Sequence, residues 1–176
     1  TSDRDNKKNL IAKLEFKPVP NFKLSASGQL GYCTAVTNSL YNTSVVEGQT
    51  YKQNRYAAGF EWKSKATGND YHKNRCVTLR SEILGGKDGD CNSFGIYAAT
   101  SIPVYKGLDI VAMADYMNYN TDNGLKKTNL MAGLQYWIFK KCRLQAQYTY
   151  SLRSDAMKAI QGNNQSIIQT QIQVAF

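Results

Sequence analysis

The sequence predicts an all-β chain that folds as an antiparallel up-and-down β-barrel of about nine strands. Apolar and polar residues alternate with a period of two in nine successive segments, and the connections between the segments vary between short and long. No segment shows a convincing helical period. Chance alternation in an α+β protein is the rival interpretation, but nine such segments in a row make it a poor explanation.

The first four predicted strands each have one apolar face. Their apolar positions are Leu10, Ala12, Leu14 and Phe16; Phe22, Leu24, Ala26, Gly28, Leu30 and Tyr32; Tyr56, Ala58, Phe60 and Trp62; and Val77, Leu79 and Ile83. Most residues between these positions are polar or charged, as expected for strands with one apolar side.

The other five predicted strands continue this pattern. Their apolar positions are Phe94, Ile96, Ala98 and Ile102; Leu108, Ile110, Ala112, Ala114 and Tyr116; Leu130, Ala132, Leu134, Tyr136 and Ile138; Leu144, Ala146, Tyr148, Tyr150 and Leu152; and Ile168, Thr170, Ile172, Val174 and Phe176. In the sixth strand, Val111 and Met113 blur the polar face.

Composition excludes several classes of protein. The chain has 176 residues with 42% apolar residues, 12 Tyr, 6 Phe and 2 Trp, which is too aromatic for a disordered protein. No apolar run approaches the roughly 18–20 residues of a membrane helix. The formal net charge of +9 raises the question of nucleic acid, but the basic residues are scattered and no recognition helix, zinc spacing or RNP-type motif is present. We therefore expect no nucleic-acid partner.

The connections indicate which face of the sheet is wet. Residues 18–21, 103–107 and 140–141 form short connections, whereas residues 37–53, 118–127 and 154–165 form long ones. Transmembrane barrels have short turns on one side and longer loops on the other. The connection at residues 64–75 is an exception, because it should be short and has about a dozen residues.

Aromatic residues cluster beside the short turns, as in the interfacial girdles of membrane barrels. The predicted girdle residues are Phe16, Phe22, Trp62, Tyr105, Trp137, Phe139 and Phe176. The polar face is also too polar for a dry core, since Gln169, Gln171 and Gln173 follow one another on the last strand. Each unpaired buried amide would cost about 1–3 kcal/mol, and a water-filled lumen removes that cost.

The last strand resembles the C-terminal signature of outer-membrane β-barrels, in which alternating apolar residues and a terminal Phe are read by the insertion machinery. The matching positions are Ile168, Thr170, Ile172, Val174 and Phe176. The segments NRYAAGFEWKSK, FGIYAATSIPVYKGLDIVAMADYMNYN and TNLMAGLQYWIFKKCRLQAQYTYSL are similar to strands and hairpins of Gram-negative outer-membrane porins, and most closely to the phosphate-selective porin-like family.

This resemblance implies a trimer-forming diffusion channel in the cell outer membrane, in contact with the lipid bilayer and with lipopolysaccharide. We expect passive diffusion of small hydrophilic solutes, ion transport without catalysis, and no cofactor or metal. Two other interpretations stay open. One is a small non-channel outer-membrane barrel with a structural or adhesion role through loops such as residues 37–53. The other is a soluble β-barrel that binds an apolar ligand.

Strand parity suggests a piece of a larger barrel. Bacterial single-chain barrels have even strand numbers, because only an even count lets the last strand pair antiparallel with the first. With nine strands, we expect residues 1–8 to be an outside-loop remnant and residues 9–176 to be the C-terminal barrel portion, with the N-terminal portion on a separate chain. The rival is a small barrel of eight or ten strands whose boundaries are misjudged.

Basic residues on the predicted polar face suggest an anion preference, because rings of basic side chains lower the energy of anions in a pore. The predicted pore-lining residues are Lys13, Lys17, Lys23, Arg55, Lys63, Arg80, Arg143 and Arg153. The acids on the same face are Glu15, Glu61, Glu82, Asp109 and Asp115, so the basic residues could instead pair with acids and merely line the wall.

Other chemical motifs are sparse. Cys33, Cys76, Cys91 and Cys142 form no CxxC pair, so no zinc site is expected. A Cys33–Cys91 disulfide is one possibility in an oxidising compartment. The alternatives are four free thiols, or one cysteine paired with the N-terminal portion of the barrel. His72 is the single histidine and is expected to be a solvated turn residue. The segment GGKDGD, residues 85–90, is expected to be a hairpin turn.

Overall fold

The computed structural model describes residues 7–65, 75–139 and 141–174. Nine strands form one antiparallel sheet in chain order, and a short helix precedes the last strand. The strands are β1 (Leu10–Val19), β2 (Phe22–Thr34), β3 (Thr50–Lys63), β4 (Thr78–Asp88), β5 (Cys91–Tyr105), β6 (Leu108–Asn118), β7 (Lys126–Phe139), β8 (Cys142–Arg153) and β9 (Gln165–Val174), and the helix is α1 (Asp155–Gln161). The predicted all-β, up-and-down architecture is confirmed.

One apolar face runs through all nine strands. Leu14 pairs with Ala26, Ala26 with Ala58, and Ala58 with Ile83, and the register continues in phase to Ile172 on β9. Directly paired residues point to the same side of a sheet, so the predicted apolar positions form a single surface. Even on β7, well inside the sheet, Leu134 is 52% exposed. The chain therefore does not bury this face against itself.

Most of the buried residues lie outside the middle of the sheet. Met157 of α1 is fully buried, and Leu125 of the β6–β7 connection is also buried. The Ser154 hydroxyl caps α1 by accepting from the Met157 backbone N–H, and it donates to the Gly124 carbonyl at 2.9 Å. The sequence does not predict α1 because seven residues make only two turns, too few to show a helical period.

Two-residue turns join β4 to β5 and β5 to β6. Gly89 and Gly107 have φ of 63° and 71° in these turns, which is the left-handed conformation that glycine adopts without steric cost. The prediction of a hairpin turn in residues 85–90 is confirmed, although β4 extends through most of that segment.

The connections define two ends of the sheet. The loop end holds residues 35–49, 119–125 and 154–164, and the turn end holds residues 20–21 and 106–107 and the point at which β7 passes into β8. The two departures from this alternation flank β4: β3 and β4 are far apart in sequence although β3 ends and β4 begins at the turn end, and residues 89–90 form a short connection at the loop end.

The outer strands β1 and β9 each have one hydrogen-bonded neighbour within the described residues. Because successive strands alternate in direction, β1 and β9 run the same way along the barrel wall. They could not pair with each other as the antiparallel neighbours of an up-and-down barrel. Among the described residues, no helix has the length and hydropathy required to cross a membrane.

Candidate functional site: the polar face and its loop end

The polar face of β1–β5 is built from charged residues, and we call it the charged half. Its ionic side chains are Lys13, Glu15, Lys23, Arg55, Glu61, Lys63, Arg80, Glu82 and Asp88. Glu61 lies 2.9 Å from Lys63, 2.8 Å from Arg80 and 3.9 Å from Lys23. The pairs with Lys23 and Arg80 bridge neighbouring strands and the pair with Lys63 lies within β3, so most of the charge is balanced within the wall.

The polar face of β7–β9 is built mainly from amides, and we call it the amide half. Its amide side chains are Asn129, Gln135, Gln145, Gln147, Gln165, Gln169, Gln171 and Gln173. The Gln145 amide N–H donates to Gln147 at 2.7 Å, and Gln147 donates to Gln169 at 2.9 Å. An amide can donate and accept at once, so these side chains present both kinds of group without adding charge. The cationic side chains on the polar face of the same strands are Lys127, Arg143 and Arg153.

A buried carboxylate lies at the turn end between the two halves. Asp109 on β6 accepts from the Arg75 guanidinium (Nε at 2.9 Å), from Gln135 at 3.1 Å and from the Trp137 indole N–H at 3.0 Å. Arg143 in turn donates to Gln135 at 2.8 Å. We call these five residues the Asp109 cluster. Because Arg75 also donates to the carbonyl oxygen of Tyr105, the cluster joins the β3–β4 connection to the β5–β6 turn.

The long β2–β3 loop, residues 35–49, extends over the polar face, and we call it the crossing loop. The Tyr41 ring stacks on Tyr119 with centroids 4.8 Å apart, and the Asn120 amide donates to the Tyr41 carbonyl at 3.1 Å. The Gln161 amide of α1 donates to the Tyr41 hydroxyl. The next residue of the loop, Asn42, donates from its side-chain amide to the Asp88 carbonyl at 2.6 Å. The loop therefore links the β4–β5, β6–β7 and β8–β9 connections.

A cavity of about 670 Å³ lies between the crossing loop and the charged half, and we call it the loop-end cavity. Tyr41 and Asn42 of the crossing loop line it together with Arg55, Asp88 and Met117 of the strands. Burial raises the pKa of the neighbouring Tyr119 hydroxyl above its usual range, so this phenol stays protonated at neutral pH.

The predicted pore-lining residues fall largely on the polar face. By register Lys13, Lys23, Arg55, Lys63, Arg80, Arg143 and Arg153 all lie there, and Lys17 lies at the irregularity between Phe16 and Val19. The Arg153 side chain does not face open lumen, because its guanidinium donates to the backbone carbonyls of Gln161, Gly162 and Asn163 at the C-terminal end of α1. It stabilises the β8–β9 connection.

The predicted girdle is partly wrong. Phe16, Phe22 and Trp62 lie on the apolar face at the turn end, and Tyr105 and Phe139 are exposed at the same end. Trp137 instead lies on the polar face, opposite Arg143 and bonded to Asp109. The alternation itself puts Trp137 between the apolar positions Tyr136 and Ile138, so the error comes from assigning it to the girdle by its closeness to a short turn. Phe176 lies outside the described residues.

The predicted Cys33–Cys91 disulfide is also wrong, because all four cysteines are free. Cys33 is on β2 and Cys91 on β5, so three strand spacings of about 4.8 Å place them roughly 14 Å apart. A disulfide requires Cα atoms within about 7 Å. His72 lies outside the described residues, and within the described part of the chain no group of three or more His, Cys, Asp or Glu could hold a metal.

The comparisons with known proteins show the fold. No protein-family model matches the sequence, and no curated protein matches it. A similar solved structure is that of OmpT, an outer membrane protein of Vibrio cholerae folded in vitro and solved in its trimer form. It has a TM-score of 0.60 and 13% sequence identity, and the match covers 97% of this chain and 54% of OmpT. The chain thus spans about half the length of that structure, and its fold is the all-β up-and-down barrel fold of an outer-membrane protein.

Proposed function

We propose that this chain is part of an outer-membrane porin that passes small hydrophilic solutes by passive diffusion. The observation that carries the proposal is the continuous exposed apolar face opposite a face of ion pairs and amides. In a membrane barrel the apolar side contacts hydrocarbon and the polar side contacts water in the lumen. The function involves no bond making or breaking.

The crossing loop supports a channel with a narrowed mouth. It is fixed to three other connections at the loop end, through Asn42 and Tyr41. A loop held this way restricts solute size without closing the lumen. We therefore propose that the loop end sets the size limit of the pore.

Selectivity follows from the charge that pairing leaves over. The charged half has five cationic and four anionic side chains, a net charge of +1. On the polar face of β6–β9, Lys127, Arg143 and Arg153 stand against Asp109 and Asp115, which adds a further +1. A small positive excess favours anions weakly. Membership of the phosphate-selective porin-like family would require a stronger anion site. That membership is proposed from the sequence resemblance.

The open edges of β1 and β9 indicate how the barrel is completed. Unpaired backbone groups in hydrocarbon each cost several kcal/mol, so further strands must cover these edges in a membrane. We propose that the N-terminal portion of the same barrel supplies them as a separate chain. Assembly as a homotrimer in lipopolysaccharide-containing outer membrane, with insertion through the C-terminal strand, belongs to the same proposal.

A second candidate is a non-channel barrel with a structural or adhesion role. The Asp109 cluster favours it, because Asp109 and Gln135 are only 4% and 6% exposed and fill the polar face at the turn end. A lumen filled in this way around its circumference would not conduct.

Planar-bilayer recording separates the two candidates. The full chain, alone and together with any co-purifying barrel fragment, is reconstituted and its current recorded. Stepwise conductance with a slight anion preference supports the porin. Membrane insertion, shown by protease protection, without conductance would reject it in favour of the non-channel barrel.

A further inference from the structure

The loop-end cavity contains one fixed cation and one fixed anion among the described residues that line it. Arg55 donates from Nη2 to Asp88 Oδ2 at 3.1 Å, and the two side chains are 55% and 28% exposed. A simple anion or cation in the cavity would meet an opposite charge and a like charge together. A solute that carries both charges could satisfy both groups.

Both groups have bonding capacity that the ion pair leaves unused. Within the described residues, the bond to Asp88 is the one hydrogen bond of the Arg55 guanidinium, which has five N–H donors. The second carboxylate oxygen, Asp88 Oδ1, is buried without a hydrogen-bond partner in the described residues. Because Oδ1 has almost no exposed surface, a ligand donor would reach this carboxylate at Oδ2, which can accept a second hydrogen bond beside the one from Arg55.

The rest of the cavity suits an apolar group of moderate size. Leu84, Met117 and Val45 line it next to the charged pair. Methionine is flexible and polarisable, so it adapts to side chains of different shapes. The volume of about 670 Å³ lies within the ~300–1,000 Å³ range of small-molecule sites.

We propose that the loop-end cavity binds zwitterionic solutes, namely amino acids or short peptides with an apolar side chain. The solute carboxylate binds Arg55, its ammonium group binds Asp88, and its side chain contacts Leu84 and Met117. This rests on the proposed porin function and assigns a solute class to it. A neutral sugar would leave both charged side chains without an ionic partner, and inorganic phosphate would be repelled by the Asp88 carboxylate.

Isothermal titration calorimetry on the full chain in detergent micelles tests the site without requiring conductance. The probe is the dipeptide Leu-Gly, which should bind saturably. Its N-acetyl and C-terminal amide derivatives each lack one charge and should bind at least tenfold more weakly. Because these comparisons change the ligand alone, they hold even where a variant fails to fold.

Variants then locate the site. Arg55→Gln and Asp88→Asn should each weaken Leu-Gly binding at least tenfold, whereas Lys52→Gln removes a cation from the opposite face of the same strand and should not change it. Circular dichroism confirms that each variant keeps its β-sheet content.

The outcomes separate the site from the channel. Conductance without Leu-Gly binding, or equal binding of maltose, inorganic phosphate or the blocked dipeptides, overturns the site and leaves the porin standing. Binding that requires Arg55 and Asp88 without any conductance supports the site and rejects the porin.

Discussion

The charged half and the amide half of the polar face are both hydrophilic, but ion pairs make the first so and side-chain amides the second. In the charged half, acids and bases lie 2.8–3.9 Å apart, within a strand or across neighbouring strands, and largely neutralise one another. In the amide half, glutamines donate and accept among themselves at 2.7–2.9 Å and carry no charge. The lesson is that the number of basic residues on a barrel wall does not set its selectivity. What matters is the charge that pairing leaves over.

The largest expected effect lies at the junction of the two halves. Asp109→Ala removes the buried carboxylate that accepts from the guanidinium of Arg75, whose side chain is 14% exposed. Loss of one partner from a buried ion pair costs about 3–5 kcal/mol, which urea unfolding of the refolded protein in micelles measures.

Asp115→Ala is the matched control for Asp109→Ala, because Asp115 also lies on the polar face of β6 but is bonded to the neutral amide of Asn129. Its loss should cost about 1.5–3 kcal/mol, the range of a hydrogen bond to a charged group. Equal destabilisation by the two substitutions would show that the Asp109 cluster is not a special anchor.

The crossing loop connects the two halves, so releasing it should change access to both. Tyr41→Ala removes the stacking on Tyr119, which is worth about 0.5–1.5 kcal/mol, and should raise the open population of the loop up to about tenfold. Higher single-channel conductance is the readout. Tyr41→Phe keeps the ring and loses the hydrogen bond from Gln161, so its conductance should change less. Unchanged conductance in Tyr41→Ala would remove the loop from the permeation path.

Single charge changes should sharpen the contrast between the halves. Glu61→Gln leaves three cations without that acid and should raise the chloride-to-potassium permeability ratio roughly twofold, equivalent to about 0.4 kcal/mol. Gln147→Glu adds an acid to the amide half and should lower the ratio by a similar factor. Reversal potentials in a salt gradient measure both, and Gln147→Ala is the neutral control. If the chloride-to-potassium permeability ratio changed in the same direction in Glu61→Gln and Gln147→Glu, the wall charge would not determine the selectivity.

Salt should give the smallest effect. Raising the ionic strength from about 0.1 M to about 1 M shortens the Debye length from roughly 10 Å to roughly 3 Å. The weak anion preference should therefore shrink toward the ratio of the free ion mobilities. A preference that grows with salt would point to a specific ion site instead of the residual wall charge.

The strands could be predicted from the sequence because alternation is local, and the register keeps one face in phase from Leu14 to Ile172. The Asp109 cluster could not, since Arg75 and Asp109 are 34 positions apart and meet only across strands. The contact from Gln161 to Tyr41 spans 120 positions and depends on α1, which is too short to show a period. Trp137 is not a girdle residue because closeness to a turn does not determine the face on which a side chain lies.

The proposed function depends most on the orientation of the two faces, and a fluorescent label tests that orientation directly. In a background whose native cysteines are replaced by alanine, Leu134→Cys and Gln147→Cys are labelled with bimane and inserted into lipid vesicles. Nitroxide-bearing lipids should quench the label at position 134, on the apolar face, and aqueous iodide should quench the label at position 147, on the polar face. The reverse pattern, or quenching of both labels by iodide alone, would contradict this orientation.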